Sequence, residues 1–160
     1  MSSPYDETSE NENRQPRALE EKEVEVLGLW EARTEGQSEN SPIGEVMLML
    51  RDGRGRRLPV HIGPFESMAI QNALQKTAPE RPLTHDLLRN LLDKLGASLD
   101  RVVLDDLWQG TFYAKLHLIR EKAPALEIDC RPSDAIALAL RVRAPIFVAE
   151  HVLVEAAQDE

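Results

Sequence analysis

The sequence has a single cysteine, few aromatic residues and no long apolar run. With Cys130 alone, no intrachain disulfide can form, so a hydrophobic core has to stabilise the fold. No stretch approaches the roughly 18 consecutive apolar residues that a membrane helix needs, and the N-terminus lacks a basic start followed by an apolar segment. We therefore expect a cytoplasmic protein without a membrane partner, in which Cys130 is buried as a small apolar side chain.

Most sequence motifs of catalysis are also absent. The chain contains no Gly-rich phosphate loop with a lysine, no paired-cysteine zinc pattern, no His-Glu-x-x-His helix and no nucleophile elbow. Composition and spacing therefore name no reaction and no organic cofactor. The formal net charge of -9 also argues against a broad positive surface for nucleic acid. Any contact with nucleic acid has to be local or to run through a bound cation.

Residues 1–21 differ in composition from the rest of the chain. They are rich in Ser, Glu, Asn and Pro and contain almost no large apolar side chain, so burial cannot offset the entropy lost on ordering. We expect a disordered acidic tail there. Residues 22–157 are expected to form one compact domain, because a chain of 160 residues with 42% hydrophobic residues can bury a single core.

The order of apolar patterns predicts an α+β domain with about three helices. The predicted strands, with a polar loop at 34–42 between the first two, cover residues 24–30, 44–51, 57–63, 100–106, 111–120, 125–131 and 146–149. Residues 151–157 fit either a strand or a helical turn, and the predicted helices cover residues 64–76, 84–95 and 132–143. Because the last of these helices is apolar on every side, it is either central or covered by a partner chain.

Polar residues at the ends of predicted elements have both a structural and a functional interpretation. Thr84 can cap the second helix and Asp86 lies near its positive end, but His85 between them has no comparable structural role. His85 is therefore a candidate base, ligand or phosphate contact. Asp105 precedes a turn, where an aspartate either bonds to the backbone or joins other carboxylates around a cation.

The sharpest local feature is Arg-Pro-Ser-Asp at 131–134, where a strand ends and proline opens a helix. In the structural interpretation, Arg131 forms an ion pair with Asp134 or Asp129 at a capped helix start. In the functional interpretation, Asp129 and Asp134 are metal ligands or acid and base groups, and Arg131 holds a phosphate with two hydrogen bonds. His61 and Glu66 flank another strand-to-helix junction and could join such a cluster.

A basic cluster surrounds the first predicted hairpin, and it consists of Arg51, Arg54, Arg56 and Arg57. The Asp-Gly pair between the two strands is typical of a tight turn. The four arginines either keep an exposed turn soluble or contact the phosphates of a nucleic acid. The second interpretation is what an acidic protein that binds nucleic acid would require.

Several sequence blocks resemble the bifunctional nuclease family in order and number. They are Leu-Pro-Val-His-Ile-Gly at 58–63, Arg-Pro-Leu-Thr-His-Asp-Leu-Leu at 81–88, Gly-Thr-Phe-Tyr-Ala at 110–114, Ile-Asp-Cys-Arg-Pro-Ser-Asp-Ala-Ile-Ala-Leu-Ala at 128–139 and Arg-Ala-Pro-Ile-Phe-Val at 143–148. The resemblance implies an α+β fold with a twisted, mostly antiparallel sheet. It also implies a homo-oligomer, with a dimer as the first expectation, and nuclease activity on RNA and DNA.

The resemblance leads to a first hypothesis of a metal-assisted phosphodiesterase. Asp129, Asp134 and Asp105 would hold Mg²⁺ or Mn²⁺, which prefer oxygen ligands. His85 would transfer a proton and Arg131 would bind phosphate. The second hypothesis is a non-enzymatic oligomeric module with a binding or regulatory role. A third is RNA binding without cleavage through the basic hairpin.

Overall fold

The structure is a computed structural model of the chain and describes residues 20–31 and 44–159. In this part of the chain the strands are β1 (Glu21–Glu31), β2 (Val46–Asp52), β3 (Arg57–Ile62), β4 (Ala97–Trp108), β5 (Thr111–Arg120), β6 (Ala123–Cys130) and β7 (Ile146–Ala149). The helices are α1 (Pro64–Leu74), α2 (Thr84–Lys94), α3 (Pro132–Val142) and α4 (Glu150–Ala156). The predicted acidic tail up to residue 19 and the predicted loop at 34–42 lie outside the described residues.

The strands of the described part form one sheet in the order β3-β2-β1-β7-β4-β5-β6. Neighbouring strands are antiparallel except β4 and β7, which are parallel. The sheet is therefore mixed, and the described residues contain four helices rather than about three. The parallel pair arises because α3 carries the chain back across the sheet, so that β7 enters between β1 and β4 in the direction of β4. The additional helix is α4, whose segment also fitted a strand.

Alternating side chains explain the antiparallel part of the sheet. Strands β4, β5 and β6 form an antiparallel meander. Ala114 and Leu118 of β5 are buried in the core, whereas Lys115 and His117 between them project from the opposite face. The sheet therefore has an apolar face that is covered by helices and a face in this region that carries polar groups.

Helix α3 is the centre of the core. Its residues 135–139 are all buried, and it contacts α1, α2, β4 and β5. Burial by its own chain therefore explains why this helix is apolar on every side. Among the described residues, no helix is long and apolar enough to cross a membrane.

Helix α2 faces the core with its polar start rather than with its leucines. His85 and Asp86 in the first turn are its buried residues. Leu87, Leu91 and Leu95, spaced one turn apart, remain 52%, 47% and 78% exposed. These three side chains form an apolar surface strip, the leucine stripe, that no described element covers.

If α3 is the centre of the core, shortening one of its side chains has to cost stability. Ile136 is fully buried, and Ile136→Ala should lower the free energy of unfolding by about 2–5 kcal/mol, because it removes buried methyl groups and leaves a cavity. Val154→Ala, at an exposed position of α4, should change it by less than about 0.5 kcal/mol. Urea denaturation measures both values. Equal changes in the two variants would contradict the central position of α3.

Candidate functional site

A polar cluster lies where helices α1, α2 and α3 begin. Glu66 of α1, His85 of α2, and Arg131 and Asp134 at the start of α3 form this cluster, the His85 cluster. His85 Nε2 lies 2.9 Å from Asp134 Oδ1. Arg131 donates from Nε to Asp134 Oδ2 at 2.9 Å and from Nη1 to Glu66 Oε1 at 2.8 Å. His85, Arg131 and Asp134 therefore meet at one point, and Glu66, which the sequence offered as a further member, joins them.

Two proline-initiated helices bring the carboxylates to this point. Pro64 and Pro132 occupy the first turns of α1 and α3, where the fixed φ of proline suits the helix and its missing N–H is not needed. Glu66 and Asp134 each follow two residues later, where free backbone N–H groups favour negative charge. The repeated Pro-x-acid pattern is the sequence signal that pairs Glu66 with Asp134.

Asp86 positions the first turn of α2, and the predicted cap Thr84 does not. The N-cap residue is Leu83, whose N–H donates to Asp86 Oδ2 at 3.0 Å. Arg141 of α3 donates from Nε to Asp86 Oδ1 at 2.9 Å. Burial raises the pKa of Asp86, but the hydrogen bonds from Leu83 and Arg141 outweigh burial and hold it below its usual value. The ionised carboxylate therefore fixes α2 against α3, with His85 facing the start of α3.

The hydrogen bonds of the His85–Asp134 pair determine where its protons lie. Burial raises the pKa of Asp134, but hydrogen bonds from Arg131 and His85 hold it below its usual value. An ionised carboxylate only accepts hydrogen bonds, so Nε2 of His85 carries the proton that it donates. Nδ1 is then the basic nitrogen of the neutral ring, and it can accept a proton from water or a substrate.

Arg131 retains hydrogen-bond donors for a ligand. Its side chain is 64% exposed although it bonds to both carboxylates. Nε, Nη1 and Nη2 each donate once to these carboxylates. Because a guanidinium has five N–H donors, two remain for an incoming oxyanion, and its planar fork matches a phosphate. The ion pair of the structural interpretation is present, but it is open to solvent.

The His85 cluster opens into two neighbouring clefts. The first has a volume of about 340 Å³, and its polar floor of His85, Arg131 and Asp134 is bordered by the apolar side chains of Phe65, Met68, Ala69 and Leu83. The second, of about 310 Å³, lies between the end of β3, the start of α1 and the β4–β5 turn. Arg131 and Glu66 line both clefts. A ligand bound to Arg131 therefore has room on either side.

The three carboxylates that were expected to hold a divalent cation do not come together. Asp105 of β4 accepts a hydrogen bond from Lys115 Nζ at 2.7 Å, and Asp129 of β6 lies opposite Lys115 in the sheet. In the described part of the chain, no group of three or more His, Cys, Asp or Glu side chains could hold a metal ion. Strand alternation is the reason. Cys130 packs against the core on the side of α3, so its neighbour Asp129 points away from Asp134.

Ion pairs hold two arginines of the predicted basic hairpin. Arg51 donates from Nε to Glu25 of β1 at 2.9 Å. Arg56 donates from Nε to Asp52 at 2.8 Å and from Nη2 to Glu150 of α4 at 2.8 Å. These bonds tie the hairpin to β1 and α4.

The other two arginines of the hairpin lie far from the His85 cluster. Arg54 is exposed in the turn and Arg57 begins β3. β3 ends at Ile62, which lines the second cleft. Val60 is the first residue of β3 that lines this cleft, and because a strand rises about 3.3 Å per residue, the three residues from Arg57 to Val60 span about 10 Å. The hairpin therefore does not contribute to the floor of either cleft.

Cys130 is partly buried and packs against the core. Burial, together with the negative charges of Asp129, Asp134 and Asp105, raises the pKa of its thiol to about 12. The thiol therefore stays protonated near neutral pH, and this agrees with its expected role as a small apolar side chain.

Sequence comparison relates this chain to known proteins. Residues 46–160 match the family model described as the bifunctional nuclease domain. An uncharacterized protein of Mycobacterium tuberculosis is 46% identical over 135 residues, which cover 84% of this chain and 75% of that protein. Bifunctional nuclease 2 of Arabidopsis thaliana is 27% identical over 114 residues, which cover 70% of this chain and 35% of the plant protein. Every member of the His85 cluster lies inside the matched range, whereas β1 precedes it.

The lowered pKa of Asp134 predicts a pH-dependent contribution to stability. Because its pKa in the folded protein lies below its unfolded value near 3.8, ionised Asp134 stabilises the fold above that pH. Asp134→Asn should therefore lower the free energy of unfolding by about 1 kcal/mol at pH 7, where the ion pair with Arg131 is lost.

The difference between wild type and Asp134→Asn should shrink as the pH falls below 3.8 and through the lowered pKa, because wild-type Asp134 then becomes neutral as well. Urea denaturation of both proteins between pH 7 and about 2.5 measures this difference. A difference that grows on acidification would contradict the ionised pair.

Proposed function

Because the chain belongs to the bifunctional nuclease domain family, we propose that it hydrolyses phosphodiester bonds of RNA or DNA at the His85 cluster. The observation that carries the proposal is the 2.9 Å contact of His85 Nε2 with Asp134, on the floor of an open cleft and beside an exposed guanidinium. A base, its orienting carboxylate and a phosphate-binding group together can hydrolyse a phosphodiester.

In this proposal, His85 acts as the general base. Asp134 orients the ring through Nε2 and stabilises the imidazolium that forms when Nδ1 accepts a proton from water. The water oxygen attacks phosphorus, the bond between phosphorus and the leaving oxygen breaks, and the leaving oxygen takes up a proton from solvent water. The two remaining N–H donors of Arg131 bind the phosphate oxygens, whose negative charge they stabilise in the transition state. The apolar wall formed by Phe65 and Met68 borders the space for the neighbouring base or sugar.

The ligands that this site offers a divalent cation differ from the three carboxylates that the sequence hypothesis named. Mg²⁺ is commonly held by one or two carboxylates together with substrate phosphates and water, and it does not need three protein carboxylates. Glu66 and Asp134 converge on the same guanidinium, so both would stand beside a phosphate bound to Arg131. We therefore propose these two residues as ligands of Mg²⁺ or Mn²⁺, which would neutralise phosphate charge.

Substitutions in the His85 cluster test the nuclease proposal. His85→Gln and Asp134→Asn keep the size of each side chain but remove the base and its ionised partner, so each should lower kcat by about 10²–10⁴-fold. The matched control is His117→Gln, because His117 lies on the opposite face of the sheet and pairs with Glu127 at 3.5 Å. Cleavage of labelled single-stranded RNA and DNA measures the rates, with Mg²⁺, Mn²⁺ or chelator.

Contaminating nuclease is the main alternative source of activity. All four proteins therefore pass through the same purification, and a contaminant would give equal rates in all of them. Activity that is lost in both cluster variants and in chelator, but kept in His117→Gln, is the expected pattern. Equal activity in wild type and His85→Gln would refute the proposal. It would then leave the non-enzymatic binding module as the surviving hypothesis.

A second proposal concerns assembly. We propose that the leucine stripe of α2 packs against the same stripe of a second copy of this chain. Monomeric proteins rarely expose contiguous apolar surface, and Leu87, Leu91 and Leu95 repeat every four residues on one helix face. A twofold axis lets such a face pair with itself. The resemblance to the bifunctional nuclease family implies an oligomer as well.

Light scattering coupled to size exclusion tests this assembly. The wild type should have the mass of a dimer, and Leu87→Glu/Leu91→Glu should have that of a monomer, because four carboxylates would meet across the interface. Val154→Glu, at an exposed apolar position of α4, is the control and should remain dimeric. A monomeric wild type, or a double variant that stays dimeric, would contradict the role of the leucine stripe.

A further inference from the structure

A third cleft, larger than the two at the His85 cluster, lies beside them. Its volume is about 660 Å³, which is in the range of about 300–1,000 Å³ typical of sites for small ligands. The end of α1, the segment 75–83, α2 and the end of α3 enclose it. Pro79 and Pro82 form part of the wall, and proline restricts the backbone of this segment before any ligand binds.

Positive charge dominates the lining of this cleft. Lys76, Arg89 and Arg143 line it, and in the described part of the chain none of the three forms an ion pair. Arg141 also lines the cleft, but its Nε bonds to Asp86 and is occupied. Glu80 is the one other acid in the lining, so the three unpaired cations give the cleft a net positive charge in a chain whose formal net charge is -9.

The basic cleft is continuous with the His85 cluster. Asn72 lines both this cleft and the first cleft of the cluster. Arg89 follows His85 by four residues on α2, so the two side chains are neighbours on one face of the helix, about 5–6 Å apart at Cβ. Because Asn72 borders both clefts, a strand whose phosphate is bound at Arg131 can continue past Asn72 into the basic cleft toward Arg89.

We propose that the basic cleft binds the phosphates next to the cleaved one, so that the substrate is a single strand of several nucleotides rather than a dinucleotide or a free nucleotide. The inference rests on the proposed nuclease function, and it assigns Lys76 and Arg89 as binding residues. Contact with nucleic acid would then be confined to one positive cleft, which is compatible with the formal net charge of -9. The arginines of the hairpin are not needed, since Arg51 and Arg56 are ion-paired.

The experiment compares two double variants that remove equal charge. Lys76→Gln/Arg89→Gln neutralises the basic cleft, whereas Arg120→Gln/Lys122→Gln neutralises the β5–β6 turn, where Arg120 bonds only to the carbonyl of Pro124 among the described residues. Each double variant is made in the His85→Gln background, and the integrity of the strand is checked on a gel. Fluorescence anisotropy with a labelled 12-nucleotide single strand measures Kd at several salt concentrations.

The cleft variant should raise Kd about 10-fold at 0.1 M salt and reduce the slope of log K against log salt by about 1.4, because two phosphate contacts are lost. The control should leave both unchanged. Glu80→Gln should tighten binding, and a gain of affinity cannot result from misfolding. Equal effects of the two double variants, no effect of either, or no binding of the strand by the parent protein would overturn the inference.

Failure of the nuclease proposal would be recognised separately. A protein that binds the strand through the basic cleft but whose wild type does not cleave it would refute catalysis while supporting the cleft as a binding site. In an active wild type, a 12-nucleotide strand should be cleaved with a higher kcat/KM than a dinucleotide. Lys76→Gln/Arg89→Gln should remove that advantage. A dinucleotide cleaved as efficiently as the long strand would contradict the extended substrate.

Discussion

One buried guanidinium connects the three helices that form the site. Arg141 of α3 is 6% exposed, donates from Nε to Asp86 of α2 at 2.9 Å, and donates from Nη1 to the carbonyl of Ala69 in α1 at 3.0 Å. Because His85 directly precedes Asp86, the bond to Arg141 orients the first turn of α2 toward the start of α3. The contact of His85 with Asp134, and the wall that α2 gives to the basic cleft, both depend on this arrangement.

The energetic balance of α2 explains why a polar contact has this role. The leucine stripe faces away from the core, so α2 gains little of the hydrophobic burial that holds α3 in place. Removing one partner of a buried ion pair typically costs about 3–5 kcal/mol, because the other charge stays buried without compensation. The Arg141–Asp86 pair is therefore a strong constraint on the first turn of α2. The apolar helix α3 supplies a rigid support, and polar bonds position the functional groups on it.

Much of the fold could be predicted from local pattern, because alternation and helical spacing depend on neighbouring residues. The parallel pairing of β7 with β4 could not, since it depends on where α3 carries the chain. The convergence of His85, Arg131 and Asp134 followed from helix starts that the sequence marks. Asp129 is separated from Asp134 because the face of β6 that carries Cys130 packs against the core, whereas Asp129 lies on the other face. The sequence could not show that α2 faces the core with its first turn, because five leucines at helical spacing favour burial of the leucines instead.

The proposed mechanism depends on the bond by which Asp134 holds His85 with Nε2 protonated and Nδ1 available as a base. The measurement that tests it most directly is a long-range ¹H–¹⁵N spectrum of protein with ¹⁵N-labelled histidine, in which His85→Gln assigns the signals of this ring. The neutral ring of His85 should have a protonated Nε2 and an unprotonated Nδ1, and Asp134→Asn should shift both nitrogen signals. A neutral ring protonated at Nδ1, or signals that Asp134→Asn leaves unchanged, would contradict this role of Asp134.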